Sequence, residues 1–371
     1  MATWLATAAF GLEGIVKREL KGLGVDSSAE NGGARFEGDF ATGFLANLSL
    51  RCADRVLLIV KETKVFGFED LFEATKSVPW ADYLPKEASF PVTGNCARSQ
   101  LMSVSDCQKI VKKAIVEKLK DTYRQSWFEE SGPSYPIQFN IHENNLRISI
   151  NSSGDALNRR GYRTWTGEAP IRETLAAAMI LLAPNHLKLP IYDPCCGTAT
   201  LLIEAAFLRA NRAPGLKRNF LMEDWVNVPA DDFNHIRQNA ASLVDYKQIG
   251  KISGSDIDKN SLELAQKHLT QAGLESYIHL EKKDIHHLEL PSLPQLIITN
   301  PPYGERLSDQ KSAEDIYKAL SRLLKTSPGN TLCAISSHPG FERIIGRRSQ
   351  HKRRLYNGRL ECEYHIYLPK V

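Results

Sequence analysis

No run of 18 apolar residues occurs in this 371-residue chain, so no transmembrane helix is expected. The opening Met1-Ala2-Thr3-Trp4-Leu5 lacks a basic region followed by a long apolar core, and no signal peptide is expected. There is no Cys-x-x-Cys pair and no Cys/His spacing suited to zinc, so no metal is expected. Seven cysteines are an odd number, and Cys195 and Cys196 are adjacent. A disulfide framework is therefore not expected, and a reduced cytoplasm fits best. Excess charge is also missing. Forty-seven Lys+Arg against 43 Asp+Glu leave +4, too little to name a nucleic-acid partner from the total alone. No internal repeat or low-complexity segment is present. The length implies two or three domains with ample core.

The distribution of charge says more than its sum. Acidic residues are absent from Arg343 to Gly358, where Arg343, Arg347, Arg348, Lys352, Arg353 and Arg354 are basic. A second basic group is Arg159, Arg160, Arg163 and Arg172. Each reads either as a solvated face or as a phosphate-contacting surface.

Residues 1 to 62 alternate strand, helix, strand, helix, strand. Leu12, Ile15, Val16, Leu20 and Leu23 give one helical face, stopped by Gly24. This predicts a small ferredoxin-like α+β unit. Residues 63 to 152 predict a second unit. It has a helix from Phe68, a strand opening at Phe90 and a polar loop from Gly94 to Ser99. A long lysine-studded helix then runs from Asp106 to Tyr123, and a hairpin turns around Glu143-Asn144-Asn145. Asn151 to Asp155 reads as a polar linker.

From residue 153 onward strands and helices alternate. The strand Ile191-Tyr192 runs into Asp193-Pro194-Cys195-Cys196-Gly197-Thr198, and a helix follows. Such a turn lets a ligand approach N–H groups at a helix N-terminus, yet it lacks the later glycines of a dinucleotide fingerprint. Asp193 would repel a phosphate. A ligand with a positive end fits better, as the sulfonium and amino group of S-adenosylmethionine do. Asp256 ends a second strand, where it can bind ribose hydroxyls, and Asp258 caps the next helix. Asp284 follows a third strand, placed either to accept from an adenine amino group or as an ordinary loop acid. The segment from Phe207 to Tyr246 is an insertion with no chemical reading.

The uncharged strand Leu296-Ile297-Ile298 reads as buried on both faces and delivers Asn300-Pro301-Pro302-Tyr303 to its carboxyl end. An exocyclic amine on a nucleobase is a poor nucleophile. An Asn carbonyl and a proline-fixed backbone carbonyl can accept its hydrogens, orient its lone pair and take up positive charge as it attacks a methyl donor. The Tyr ring can stack on a base swung out of its helix. A terminal hairpin is predicted with Asn357-Gly358 as a type I′ turn.

Asp193 to Gly197, Asp256, Asp284 and Asn300 to Tyr303, in that order, resemble a class I S-adenosylmethionine-dependent amino-methyltransferase. Arg98 to Leu101 followed by Asp106 to Ile115 resembles a THUMP signature. Asp193 to Thr198 and Asn300-Pro301-Pro302-Tyr303-Gly304-Glu305-Arg306 resemble the sharpest motifs of the THUMP-domain RNA guanine-N2 methyltransferases, above all the bacterial 23S rRNA type. The resemblance covers nearly the full length. Departures are Cys195 and Ala199 where glycines often sit, and the long spacing from Asp193 to Asp256.

The resemblance implies an α/β fold. A Rossmann-like methyltransferase domain (153–371), with a mostly parallel sheet ending in an antiparallel hairpin, follows a ferredoxin-like domain (1–62) and a THUMP RNA-binding domain (63–152). Thr174, Asp193, Cys195, Cys196, Gly197 and Thr198 would hold the methionine end of S-adenosylmethionine. Asp256 with Ile257 would take the ribose and Asp284 the adenine. Asn300 and Pro301 would accept from the target amine, Pro302 would fix the turn and Tyr303 would stack the base. RNA contacts would come from Arg98, Lys109, Lys112, Lys113, Arg159, Arg160, Arg347 and Arg348. Neither a metal nor a covalent intermediate is implied. The same chemistry on tRNA, adenine-N6 methylation of RNA or DNA, and a non-catalytic RNA-binding assembly factor remain alternatives.

Overall fold

The structure, a computed structural model, describes residues 1–163, 171–226, 228–304 and 307–369, with side chains from 310 in the last stretch. Glu305 and Arg306 of the second motif lie outside the described residues. The chain divides into two compact units, 1–8 with 16–157 and 218–238, and 9–15 with 158–217 and 239–371. Among the described residues, no helix is long and apolar enough to cross a membrane.

The first unit is built on one seven-stranded sheet. Its strands are β1 (Ala2–Thr7), β2 (Ser27–Glu30), β3 (Gly33–Gly38), β4 (Arg55–Lys64), β5 (Val92–Ala97), β6 (Ile137–His142) and β7 (Asn145–Asn151), in the order β2-β3-β1-β4-β7-β6-β5. β4 joins the ferredoxin-like and THUMP segments, pairing with β1 on one edge and β7 on the other. At ten residues it is long enough to serve both.

Three expectations change here. β2 is an added strand, because Ser27-Ser28-Ala29-Glu30 carries no apolar alternation and forms an edge. Gly94 to Ala97 is strand rather than loop. A Cβ at Gly94 would lie 2.3 Å from the Phe139 oxygen of β6, so the glycine marks close packing of two strands. Asn151 to Ser153 is a buried polar lock and not a linker. The Val56 N–H donates to Ser153 Oγ (2.7 Å), while Asn47 Nδ2 donates to Ser152 Oγ (2.8 Å).

The insertion acquires a role. Residues 218–238 belong to the first unit, where Phe233 stacks on Phe44 with centroids 4.4 Å apart and Trp225 stacks on Tyr135 at 5.1 Å. Phe220, Trp225 and Phe233 are core for the amino-terminal sheet.

The second unit carries β8 (Ile191–Asp193), β9 (Ile252–Asp256), β10 (Ile278–Lys282), β11 (Leu296–Thr299), β12 (Thr331–Ser336), β13 (His351–Asn357) and β14 (Leu360–Tyr367), in the order β10-β9-β8-β11-β12-β14-β13. β8 to β12 are parallel, while β14 runs antiparallel to both β12 and β13. β8 and β11 are neighbours although far apart in sequence, so chain order reverses between them. This is the switch point at which open α/β sheets bind ligands. The uncharged β11 is wholly buried, as its composition predicts.

The terminal hairpin forms, with its loop one residue later than expected. Asn357 pairs with Leu360, leaving Gly358 and Arg359 as the loop. Gly358 takes φ +65° and Arg359 is not left-handed, so the turn is of the II′ kind, which needs glycine first.

Candidate active site

Two cavities open at the carboxyl ends of these parallel strands, of 410 and 480 Å³. They share Cys195, Gly197 and Asn300. Asp193, Cys196 and Thr198 line the first. Asp256, Ile257, Asp284, Pro301, Pro302 and Tyr303 line the second. Thr174 is buried at the start of the helix Glu173–Leu182, and Ile171 rather than Thr174 reaches the first cavity.

Local chemistry explains how the carboxylates are held. Asp193 ends β8 and is 1% exposed. Its Oδ1 accepts from the Cys195 N–H at 3.1 Å. Burial pushes this carboxyl up to about 7, and Asp256 adds to the rise, while Thr299 and the Cys195 N–H oppose it. Asp256 accepts from the Gly197 N–H through Oδ2 (2.8 Å) and from the Asp258 N–H through Oδ1 (2.9 Å). Each oxygen keeps capacity for another donor. Asp258 caps the helix Lys259–Ala272 and Gly273 ends it, as expected. Asp284 caps the turn Ile285–His287; bonds from the His286 N–H and ring hold its carboxyl below the usual range.

Cys195 and Cys196 are poor nucleophiles. Burial, then the charges of Asp193 and Asp256, push both thiols well above their ordinary value. Ala199 takes φ +64° at the cap of the helix Thr200–Arg209, a conformation glycine adopts without strain.

The Tyr303 hydroxyl donates to Asn300 Oδ1 and accepts from Asn357 Nδ2 at 3.2 Å. Burial raises the Tyr303 pKa, so the hydroxyl keeps its proton. Asn357 also lines the second cavity. In sequence it reads as a turn former, which hides this placement.

The donor set fits S-adenosylmethionine. Burial disfavours the ionised form of Asp193, which a cationic ligand would stabilise, and a carboxylate in the turn after β8 would repel a phosphate of NAD or ATP there.

The basic residues separate into two groups. Arg98, Lys109, Lys113, Arg159 and Arg348 are exposed. Arg160 is corrected: its side chain is 1% exposed and lies 3.4 Å from Glu204, which also accepts from the Tyr162 hydroxyl. It is therefore a structural cation rather than an RNA contact. Lys112 bonds Glu130 and the Phe90 carbonyl (3.1 Å) and lies over the Phe90 ring. Arg347 donates to the Leu368 carbonyl.

This strand order, with carboxylates at or just past its first three strand ends and Asn-Pro-Pro-Tyr after the fourth, defines a class I methyltransferase that takes its methyl group from S-adenosylmethionine. Residues 160–366 match the family described as RMKL-like, methyltransferase domain. Residues 3–57 match the RlmL ferredoxin-like domain and residues 67–151 the THUMP domain. The chain belongs to the RMKL-like methyltransferase family.

Among solved structures, SMU.472 in complex with SAH is 35% identical, covers 100% of this chain and 98% of that one, and has a TM-score of 0.95. A Listeria monocytogenes protein described as a predicted N6-adenine-specific DNA methylase is 39% identical, covers 100% of this chain and 96% of that one, and has a TM-score of 0.94. Ribosomal RNA large subunit methyltransferase K/L of Syntrophotalea carbinolica is 30% identical over 97% of this chain and 52% of that longer protein.

Proposed function

We propose that this protein methylates the exocyclic N2 amine of a guanine in RNA, and that the RNA is 23S rRNA. One observation carries the chemistry: Asn300-Pro301-Pro302-Tyr303 follows β11, beside the cofactor turn after β8. The ribosomal RNA methyltransferase relative, together with the RlmL-type and THUMP domains, supports the substrate.

S-adenosylmethionine supplies an electrophilic methyl group when bound. Asp193 and the backbone of Cys195 to Thr198 hold its cationic end. Asp256 and Ile257 take the ribose and Asp284 the adenine. Asn300 Oδ1 and the Pro301 carbonyl accept the two amine hydrogens, orient the lone pair and take up charge as it develops. Tyr303 stacks the base. Positioning supplies most of the rate. Residues 1–62 and 63–152 grip folded RNA by backbone and shape, with Arg98, Lys109 and Lys113 exposed for it, while Arg159 and Arg348 serve the catalytic part (153–371).

The test offers labelled S-adenosylmethionine with unmodified 23S rRNA, tRNA and duplex DNA in competition. Label in the large rRNA supports the reading, whereas label in tRNA keeps the chemistry and moves the substrate. A second reading, adenine-N6 methylation, draws on the shared Asn-Pro-Pro-Tyr motif and the description of the Listeria relative. Competition by duplex DNA alone would favour it.

A further inference from the structure

We propose that Asn357 is a positioning residue of the methyl-transfer site, holding the Tyr303 hydroxyl and, through it, the Asn300 oxygen that meets the target amine. The inference rests on the function proposed above and adds a residue from the terminal hairpin.

Its basis is a directed relay. Asn357 Nδ2 donates to the Tyr303 hydroxyl, which donates to Asn300 Oδ1. A hydroxyl has a single proton. Accepting from Asn357 directs that proton to Asn300 Oδ1, with the Cys362 sulfur as the hydroxyl's other neighbour. The Asn300 carboxamide is thereby fixed with its oxygen toward the ring. In the flipped arrangement an NH2 group would face the incoming amine, donor against donor. The second acceptor site on Oδ1 stays available for an amine hydrogen.

The fold does not itself require asparagine at this position. Gly358 supplies the positive φ of the turn, and Asn357 is the last residue of β13 with ordinary backbone. Its side chain is spent on the cavity, alongside Asn300, Pro301, Pro302 and Tyr303. The hairpin, which otherwise completes the sheet edge, so contributes a polar group to the chemistry.

The experiment is a kinetic double-mutant cycle on the full chain, using total RNA from cells lacking this gene and labelled S-adenosylmethionine. Asn357→Ala lowers kcat by about five- to tenfold, the loss of one hydrogen bond that matters in the transition state. Cofactor affinity stays within about twofold, since Asn357 acts on the amine side. Asn357→Asp lowers kcat further, because an acceptor draws the Tyr303 proton away from Asn300. Adding Asn357→Ala to Tyr303→Phe costs nothing more, because the hydroxyl it acts through is already gone.

Unchanged kcat in both Asn357 variants, multiplicative losses in the double variant, or loss of cofactor binding would each overturn the inference. The rate is read as transferred label, whichever nucleoside carries it. Failure of the guanine assignment therefore changes the labelled nucleoside, while failure of this inference changes the rate ratios.

Discussion

The Gly197 N–H donates to Asp256 Oδ2 over 2.8 Å, tying the turn after β8 to the tip of β9. One carboxylate thereby shapes the proposed methionine end of the cofactor site while standing at the proposed ribose position. The two ends of the site are set by one side chain, so a defect at Asp256 reaches both.

Asp256→Ala should weaken S-adenosylmethionine binding by about 2 kcal/mol, roughly thirtyfold, because charge-assisted hydrogen bonds are lost from turn and ligand together. Isothermal titration of cofactor checks it. RNA affinity in the same variant should be unchanged, and a parallel loss would mean that the turn's collapse spreads beyond the site.

The proposed role of Asp193 makes cofactor binding depend on pH. Its carboxyl sits at about 7 against an ordinary 3.8, so the native state favours the protonated form. That contribution to stability is complete below about pH 4 and disappears as pH rises through about 7. A cationic ligand binds the ionised form, so S-adenosylmethionine affinity should rise from about pH 5 to 7 and then level. Asp193→Asn should flatten the profile. Calorimetric titration across pH gives the answer, and an equally steep profile in the variant would contradict the assignment.

Arg160→Ala should destabilise the protein by about 3–5 kcal/mol, because it removes the ion-pair partner of the buried Glu204 and leaves the Tyr162 hydroxyl beside it. Thermal unfolding measures this. At a temperature where the variant is folded, the salt dependence of RNA binding should match wild type, as expected of a cation that meets no phosphate.

Replacing Arg98, Lys109 and Lys113 together should weaken RNA binding and flatten its dependence on salt, by about 0.7–0.9 in log–log slope for each phosphate no longer neutralised. Lys112→Met should instead act on stability, through Glu130 and Phe90. Filter binding at several salt concentrations, with thermal unfolding beside it, separates the two. An unchanged slope in the triple variant would remove this face from RNA binding.

The sequence carried the parallel sheet and the small-residue turn after β8 plainly. β11 is uncharged because both its faces are covered, and Asp258 and Gly273 announce the ends of their helix by capping chemistry. Tertiary pairing was harder to see. β2 has no apolar pattern because it is an edge, and Gly94 looks like a loop until Phe139 is packed against it. Asn151 to Ser153 looks like a linker because polar residues usually face water; here their hydrogen bonds close inside the core. Arg160 looks like a surface cation until Glu204, 44 positions away, is brought beside it. Asn357 was hidden for a different reason: an asparagine before glycine is read as a turn, and the turn formed one residue later.

The central claim is tested most directly by transferring label from S-adenosylmethionine to total RNA from cells lacking this gene, then fractionating by size and identifying the labelled nucleoside by mass spectrometry. The account predicts N2-methylguanosine in the large ribosomal RNA, abolished by Asn300→Ala. N6-methyladenosine as the labelled product would contradict it.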